Sequence, residues 1–338
     1  MKELDVEFIN VEFINGWCIL QNRVRRTLNQ ITNFANWTIN NLESEEKTKA
    51  NFHKNNKVFS YVDTFKEIIF PGIIGKPVCK LVDREYTNYL ASKLSLGRLI
   101  SDLNLNEHAP KTYLTVEDAL KNVNVEATPV LYVKRAAGTV GKEVYCILSK
   151  DLATLELKEH WVIQEGVSDI LLFDNRKLEF RFYVLLHNKK IYLCRKGFSY
   201  VHAGREYDPF STDWNEQINK VDGTYITKTD DKQKIRVMSI EEMLHYDKHI
   251  DALETMVRGL KQVFESALQK TDDKTYQLLG CDSVSTPDFK MKLLEINTYP
   301  NLMHVEDLIN EKVNSRVFAS MMLLVLCDTN DGSWISIE

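Results

Sequence analysis

The chain has 338 residues, of which 44% are hydrophobic and 27% are charged. This length accommodates about two globular domains, and the composition is that of a folded protein. No run of about 18 apolar residues is present and the acidic first residues do not resemble a secretion signal, so we expect a cytoplasmic protein without a membrane span. The net charge of −5 argues against a general nucleic-acid binder. The six cysteines form no CxxC pair and are expected to be free thiols.

The first 76 residues predict a small N-terminal α/β domain. Residues 6–15 repeat the pentapeptide Val-Glu-Phe-Ile-Asn, which we place near a terminal strand, and residues 23–42 have the apolar spacing of an amphipathic helix. Pro71-Gly72 and the segment 75–77 then interrupt the pattern, which places a domain boundary near residue 76.

The rest of the chain alternates strands with helices, and antiparallel hairpins are expected. Capping-box patterns at Thr115 and Ser239 predict helix starts, and apolar residues spaced by three and four predict one long helix over residues 250–268. This mixture predicts an α+β fold rather than a doubly wound parallel sheet. We divide it into a central lobe, residues 77–167, and a C-terminal lobe, residues 168–338. Strands are predicted over residues 130–134, 144–148, 161–164, 178–187, 190–194, 276–284 and 289–296.

Three oxygen-bearing side chains fall on the last predicted hairpin. Asp282 lies on its first strand, and Glu295 and Asn297, two positions apart, share one face of its second strand. Two carboxylates and an amide oxygen are hard ligands of the kind that Mg²⁺ prefers, usually together with nucleotide phosphates. The pattern indicates a magnesium site. The alternative is that these residues lie on an edge strand and face the solvent.

A second group of residues suits phosphate binding. Lys134 ends a predicted buried strand, and a loop of small residues follows, with Gly138, Gly141 and then Lys142. Lysine neutralises phosphate charge, and glycines let backbone N–H groups approach the oxygens. The loop does not match the Walker A pattern. A surface hairpin with solvated lysines is the alternative.

The strand that begins the C-terminal lobe places charged side chains on one face. Lys177, Glu179 and Arg181 alternate with apolar residues, and the surrounding segment 171–206 holds eight Lys or Arg against three Asp or Glu. The planar guanidinium of Arg181 suits a transferring phosphoryl group. The alternative is a cross-strand ladder of salt bridges. Separately, His245 and His249 have a zinc-like spacing without a third ligand, so we expect an exposed helix face there.

The order of these motifs resembles the ATP-grasp fold and, within it, the tubulin–tyrosine ligase family. In that fold two sheet-bearing lobes enclose a nucleotide cleft. The resemblance is carried by VKRAAGTVGKEV (133–144), VIQEGV (162–167), RKLEFRFYVLL (176–186), IYLCRKGF (191–198), LLGCDSV (278–284) and LLEINTYPNL (293–302).

The resemblance implies ATP and Mg²⁺ as cofactors, and it implies a role for each matching residue. The phosphates would be held by Lys134 and Lys142 with Gly138 and Gly141; adenine would be held by Gln164, Glu165 and the backbone of Val167. The nucleotide would also be contacted by Lys177 and Glu179, its γ-phosphate by Arg181, and Mg²⁺ by Asp282, Glu295 and Asn297. Arg181 and Glu295 would be the catalytic residues.

The activity that the resemblance implies is a carboxylate–amine ligase. Such an enzyme phosphorylates a carboxylate to an acyl phosphate, which an amine attacks to give an amide, with an amino acid joined to a peptide or protein. The family carries an arginine where this chain reads the segment 196–200, and a Thr-Asn pair where it reads 226–228. Arg195, Arg205 and Lys228 are therefore candidates to meet a substrate carboxylate.

Two other functions stay open at this point. An ATP-grasp kinase of the inositol-polyphosphate type shares the metal hairpin. However, the chain lacks overall basicity, and the sequence of its segment 295–302 resembles the ligases more than the kinases. A non-catalytic nucleotide-binding scaffold has no use for two carboxylates, an amide and Arg181 together.

Overall fold

The described strands form a large sheet, a four-stranded sheet and a separate two-stranded sheet in the computed structural model, which describes residues 4–9, 11–14, 17–20, 31, 37–42, 57–61, 78–137, 143–202, 206–218, 236–302 and 307–338. The strands are β1 Leu4–Ile9, β2 Val11–Ile14, β3 Trp17–Leu20, β4 Trp37–Leu42, β5 Lys57–Ser60, β6 Val78–Leu81, β7 Thr112–Tyr113, β8 Val130–Arg135, β9 Val144–Leu148, β10 Trp161–Glu165, β11 Leu172–Phe173, β12 Arg176–His187, β13 Lys190–Cys194, β14 Phe198–Val201, β15 Arg236–Ser239, β16 Thr275–Ser285, β17 Met291–Asn297 and β18 Trp334–Ile337. The helices are α1 Asn88–Ala91, α2 Lys93–Asp102, α3 Val116–Asn122, α4 Trp214–Gln217, α5 Tyr246–Gly259, α6 Lys261–Leu268, α7 Asp307–Ile309 and α8 Ser315–Cys327, with a π-helical turn at Asn310–Asn314 between the last two.

The larger sheet runs in the order β15-β14-β12-β16-β6-β5-β1-β4, with β11, β13, β17 and β18 attached beside this path. Its central strand β12 is buried on both faces, which explains its almost continuous apolar sequence. Tyr183 and Leu185 point to the face covered by α8, and the alternate residues Phe182 and Val184 point to the face covered by α5 and α6. The predicted α+β class is confirmed.

The helix predicted over residues 250–268 is two helices. Its buried stripe is present, but α5 ends at Gly259 and α6 begins at Lys261. Gly259 packs directly against the imidazole of His108, where any larger side chain would overlap the ring. The glycine that allows this approach is also a weak helix former, so the helix breaks where the packing requires a small residue.

The smaller sheet is antiparallel, in the order β7-β10-β8-β9. A small core lies beneath one face of it, in which Leu131 and Ile163 pack with Ala119 of α3 and Leu152. The Thr115 hydroxyl accepts a hydrogen bond from the Asp118 backbone N–H at 3.1 Å, so α3 begins where the capping pattern predicted.

The N-terminal strands continue the larger sheet. β1, β4, β5 and β6 pair in parallel, and β6 pairs in parallel with β16, so the sheet crosses the boundary predicted near residue 76. The helix predicted over residues 23–42 is wrong at its end, because Trp37–Leu42 is strand β4. The β-branched and aromatic residues of this segment suit a pleated strand, and pairing with β1 overrides the helical spacing.

Two sequence expectations concern membranes and thiols. Within the described ranges, no helix combines the length and the apolar character needed to cross a bilayer. Cys79, Cys146, Cys194, Cys281 and Cys327 are free thiols, as predicted.

Candidate active site

A cavity of about 410 Å³ lies between the smaller sheet and the larger one. It brings together ten of the residues predicted for nucleotide and metal binding: Lys134, Gln164, Glu165, Val167, Lys177, Glu179, Arg181, Asp282, Glu295 and Asn297. Gly138, Gly141 and Lys142 lie outside the described residues, as do Arg205 and Lys228. Arg195 is exposed and its backbone N–H is bonded to the Ser333 carbonyl, away from the lining of this cavity.

The register of three neighbouring strands aligns the charged side chains. Arg181 of β12 lies opposite Asp282 of β16, and Asp282 lies opposite Glu295 of β17. The same hairpin places Gly280 opposite Asn297. A register shift between Asp282 and Ser283 marks a bulge, a device that re-aims side chains beside functional sites.

Arg181 and Asp282 form a bidentate ion pair. The Arg181 Nε donates to Asp282 Oδ1 at 2.5 Å and its Nη2 donates to Oδ2 at 3.0 Å, with 15% and 2% of the two side chains exposed. Burial works against the positive charge, but the Asp282 carboxylate outweighs it and raises the pKa of Arg181 well above its ordinary value. The guanidinium is therefore charged at every physiological pH, and it neutralises Asp282.

Glu295 and Asn297 complete the predicted metal set. The Glu295 Oε2 lies 3.3 Å from Lys93 Nζ at the start of α2. The Asn297 Nδ2 is buried without a hydrogen-bond partner, and Asn297 lines the cavity, so this end of the cavity has an unused donor for an oxygen of a ligand. Two carboxylates and an amide fit Mg²⁺ as hard oxygen donors. The described part of the chain holds no group of three His, Cys, Asp or Glu that could bind a metal ion without other ligands.

The opposite wall presents amide and hydroxyl groups. Lys134 Nζ donates to Gln164 Oε1 at 2.6 Å, and Gln164 Nε2 donates to the Thr112 hydroxyl at 3.2 Å. The Tyr113 hydroxyl donates to Glu165 Oε1 at 2.5 Å. Burial raises the pKa of Tyr113 and the Glu165 carboxylate adds to this, so the phenol stays protonated and keeps donating. Gly166 then lets the chain approach the Val130 carbonyl, which a Cβ would meet at 2.6 Å.

Lys177 is the centre of a buried network that sequence reasoning missed. Its Nζ donates to the Gln217 carbonyl at 2.7 Å and to the Tyr132 hydroxyl at 3.0 Å, and it lies 3.2 Å from Glu179 Oε1. His202 Nε2 lies 3.3 Å from the same carboxylate oxygen. Tyr132, Gln217 and His202 come from separate segments, so no spacing in the sequence could have grouped them.

The comparison with known families agrees with this geometry. The family model described as the tubulin-tyrosine ligase family matches residues 88–332, which is most of the chain. The chain belongs to the tubulin-tyrosine ligase family. This confirms the resemblance drawn from the motifs, and the two-sheet architecture agrees with the ATP-grasp-like fold expected of this family of ligases.

One human protein is similar to this chain in sequence. Inactive polyglycylase TTLL10 of Homo sapiens is 23% identical over 270 residues, which cover 66% of this chain and 39% of the human protein. The chain thus spans well under half the length of that relative. The name describes the human protein as inactive, so membership of the tubulin-tyrosine ligase family does not by itself establish turnover.

Proposed function

We propose that this chain is an ATP- and Mg²⁺-dependent carboxylate–amine ligase that joins an amino acid to a peptide or protein. The observation that carries the proposal is the convergence of Arg181, Asp282, Glu295 and Asn297 at one end of a cavity whose other wall holds Lys134 and Gln164. The wall with Arg181 suits phosphate and metal. The wall with Gln164 suits a nucleotide base, and Lys134 beside it adds positive charge for phosphates.

The charges of the cavity support phosphoryl transfer rather than covalent catalysis. Lys134 and Lys177 supply positive charge for phosphates, and Glu165 and the backbone beyond it supply acceptors and donors for a base. Phosphoryl transfer needs positioning and charge neutralisation more than a protein nucleophile. Asp282, Glu295 and Asn297 would hold Mg²⁺, which when bound neutralises phosphate oxygens.

Arg181 can contact a ligand while it is paired with Asp282. The pair uses its Nε–H and one Nη2–H, which are two of its five N–H groups, and the Asp282 oxygens keep further lone pairs. The remaining N–H groups of the planar guanidinium would stabilise the spread negative charge of a transferring phosphoryl group. A substrate carboxylate oxygen then takes the γ-phosphoryl group from ATP and ADP leaves. An amine attacks the acyl carbon, losing a proton, and phosphate leaves with the C–O bond electrons.

A second candidate is a nucleotide-binding protein without turnover. The buried Arg181–Asp282 pair favours it, because in this pair each charge already has a partner of opposite charge. The name of the human relative, which describes that protein as inactive, points the same way.

One assay separates the candidates. The chain is incubated with ATP, Mg²⁺, a panel of carboxylic acids and hydroxylamine, which captures an acyl phosphate as a hydroxamate. Hydroxamate formed together with equal ADP supports the ligase, and a stable phosphorylated acid supports a kinase. Binding of Mg·ATP without product supports the non-catalytic candidate, and absence of any Mg·ATP binding overturns the proposal.

A paired variant tests the metal end of the cavity. Glu295→Gln removes one negative charge from the proposed metal set, so we expect turnover to fall by about 100-fold or more. Glu143→Gln is the control, because Glu143 also lines the cavity but pairs with Arg135 outside the set. Turnover of Glu295→Gln within severalfold of Glu143→Gln would contradict the assignment.

A further inference from the structure

Tyr61, one of the described residues of the N-terminal region, contacts the candidate site. Tyr61 lies directly after β5, and only 1% of it is exposed. Its hydroxyl donates to the Pro300 carbonyl at 2.9 Å, and the Tyr299 hydroxyl donates back to the Tyr61 carbonyl. The two tyrosine rings stack with centroids 5.2 Å apart and planes 20° apart. Two hydrogen bonds in opposite directions and a ring stack therefore join Tyr61 to the segment 298–301.

The segment 298–301 leads directly out of the proposed metal strand. It begins one residue after Asn297, and Tyr299, Pro300 and Asn301 all line the cavity. Because so few bonds separate Pro300 from Asn297, a shift of the segment moves the amide that we assign to Mg²⁺.

The floor beneath this segment leaves little freedom. Gln277 Nε2 donates to the Thr298 carbonyl, and Pro300 lies so close to Gly280 that a Cβ there would meet it at 2.7 Å. Gly280 is the residue opposite Asn297 in the sheet. The segment 298–301 is thus held between β16 below and Tyr61 above, and Tyr61 comes from outside the matched range 88–332.

We propose that Tyr61 is a positioning residue, which fixes the segment 298–301 and so sets the geometry of the metal and phosphate end of the cavity. The proposal rests on the function proposed above. Ligand groups must be held to within about half an ångström to act together, and partners that hold them outside the contact layer make a measurable difference. The N-terminal strands therefore contribute to the site itself and not only to the core.

The test uses two variants of the full chain that each remove one hydroxyl. Tyr61→Phe keeps the ring stack and the carbonyl that Tyr299 uses, but it leaves the Pro300 carbonyl without its donor. Tyr276→Phe is the matched control, because its buried hydroxyl donates to the Ser60 carbonyl at 2.8 Å rather than to a carbonyl of the segment 298–301. Each variant loses one buried tyrosine hydrogen bond to the backbone, so we expect similar shifts of the urea midpoint.

Two readouts separate positioning from general stability. Without nucleotide, amide hydrogen exchange of residues 299, 301 and 302 should rise about three- to tenfold in Tyr61→Phe and stay unchanged in Tyr276→Phe. With Mg²⁺ and a non-hydrolysable ATP analogue, calorimetry should give about three- to tenfold weaker binding for Tyr61→Phe alone.

The outcomes are distinct for the two proposals. Unchanged exchange in Tyr61→Phe, or faster exchange with unchanged affinity, overturns the positioning role and leaves the proposed function intact. Equal losses of affinity in both variants also overturn it, since they report stability alone. Failure of the unmodified chain to bind the analogue overturns the proposed function instead. If Tyr61→Phe does not fold, Tyr299→Phe removes the reciprocal hydrogen bond and takes its place.

Discussion

The two walls of the cavity differ in the size of the apolar core that supports them. The wall from the smaller sheet rests on a small core. Lys134 is hydrogen-bonded to Gln164, and Gln164 and Glu165 are hydrogen-bonded to Thr112 and Tyr113 of the short strand β7. The wall from the larger sheet rests on apolar clusters that cover both faces.

The difference shows where a protein can keep buried charge. Glu179, Lys177 and Asp282 are at most 5% exposed, and all three lie on strands in the middle of the larger sheet. An ion pair is stable at such depth only when its geometry is fixed from several sides. The smaller sheet has fewer buried contacts, so it can adjust around a ligand while the larger sheet holds the charges in place.

The largest expected effect comes from breaking the charge pair of the larger sheet. Asp282→Asn leaves the Arg181 guanidinium buried without its carboxylate, so we expect a loss of about 3–5 kcal/mol in the free energy of unfolding, measured with urea. The double variant Arg181→Met with Asp282→Asn should recover much of this loss, because no lone charge remains. If the loss in the double variant equals the sum of the losses in Asp282→Asn and in Arg181→Met alone, the two ions act independently.

A large-to-small substitution in each core compares the rigidity of the two sheets directly. Leu185→Ala in the larger sheet and Leu131→Ala in the smaller sheet both remove a fully buried side chain. We expect the free energy of unfolding to fall by about 4 kcal/mol in Leu185→Ala and by about 2 kcal/mol in Leu131→Ala. The second loss is smaller because the smaller core can relax into the space. Urea unfolding gives both values, and equal losses would mean that the two sheets are equally rigid.

A substitution of Lys134, on the wall formed by the smaller sheet, should have a smaller effect on stability. Lys134→Met removes one hydrogen bond to Gln164, so we expect stability to change by about 1 kcal/mol or less. Binding of Mg·ATP, measured by calorimetry, should weaken by about tenfold, since a positive charge is lost from the cavity. Lys158→Met, on the exposed edge of the same lobe, is the control and should bind as the unmodified chain does.

The smallest effect is a pH dependence in the core of the larger sheet. His249 is 2% exposed and lies between the rings of Phe180 and Phe289, and burial lowers its pKa. Near pH 6.5 the His249 imidazole therefore binds a proton in the unfolded chain but not in the folded one. The free energy of unfolding falls as the pH drops below about 6.5. His249→Gln should flatten this fall in urea titrations between about pH 7.5 and pH 5.5. The exposed His160→Gln should leave the fall unchanged.

The sequence predicted the parts of the site that depend on strand geometry. Alternation placed Lys177, Glu179 and Arg181 on one face, and β9 and β13 were predicted to the residue. The capping box at Ser239 is present, because its side chain and that of Glu242 exchange hydrogen bonds with each other's backbone. These features are local, so a short window of residues determines them.

The rest depends on contacts between distant segments. The exposed helix face expected at His245 and His249 is wrong for His249, because Phe289 at the turn between β16 and β17 covers it. Lys93 and Glu295 come together because α1, which ends two residues before Lys93, packs beside β17. Such partners follow from tertiary structure, and periodicity in one chain does not reveal them.

Strand β6 has a consequence for anyone who trims the chain. It pairs on one side with β5 and on the other with Thr275 and Tyr276 of β16. A fragment restricted to residues 88–332 would lack β6, which leaves part of β16 with unpaired backbone groups beside an apolar surface. Unpaired strand edges of that kind can pair with other chains, so the fragment should self-associate more than the 338-residue chain does.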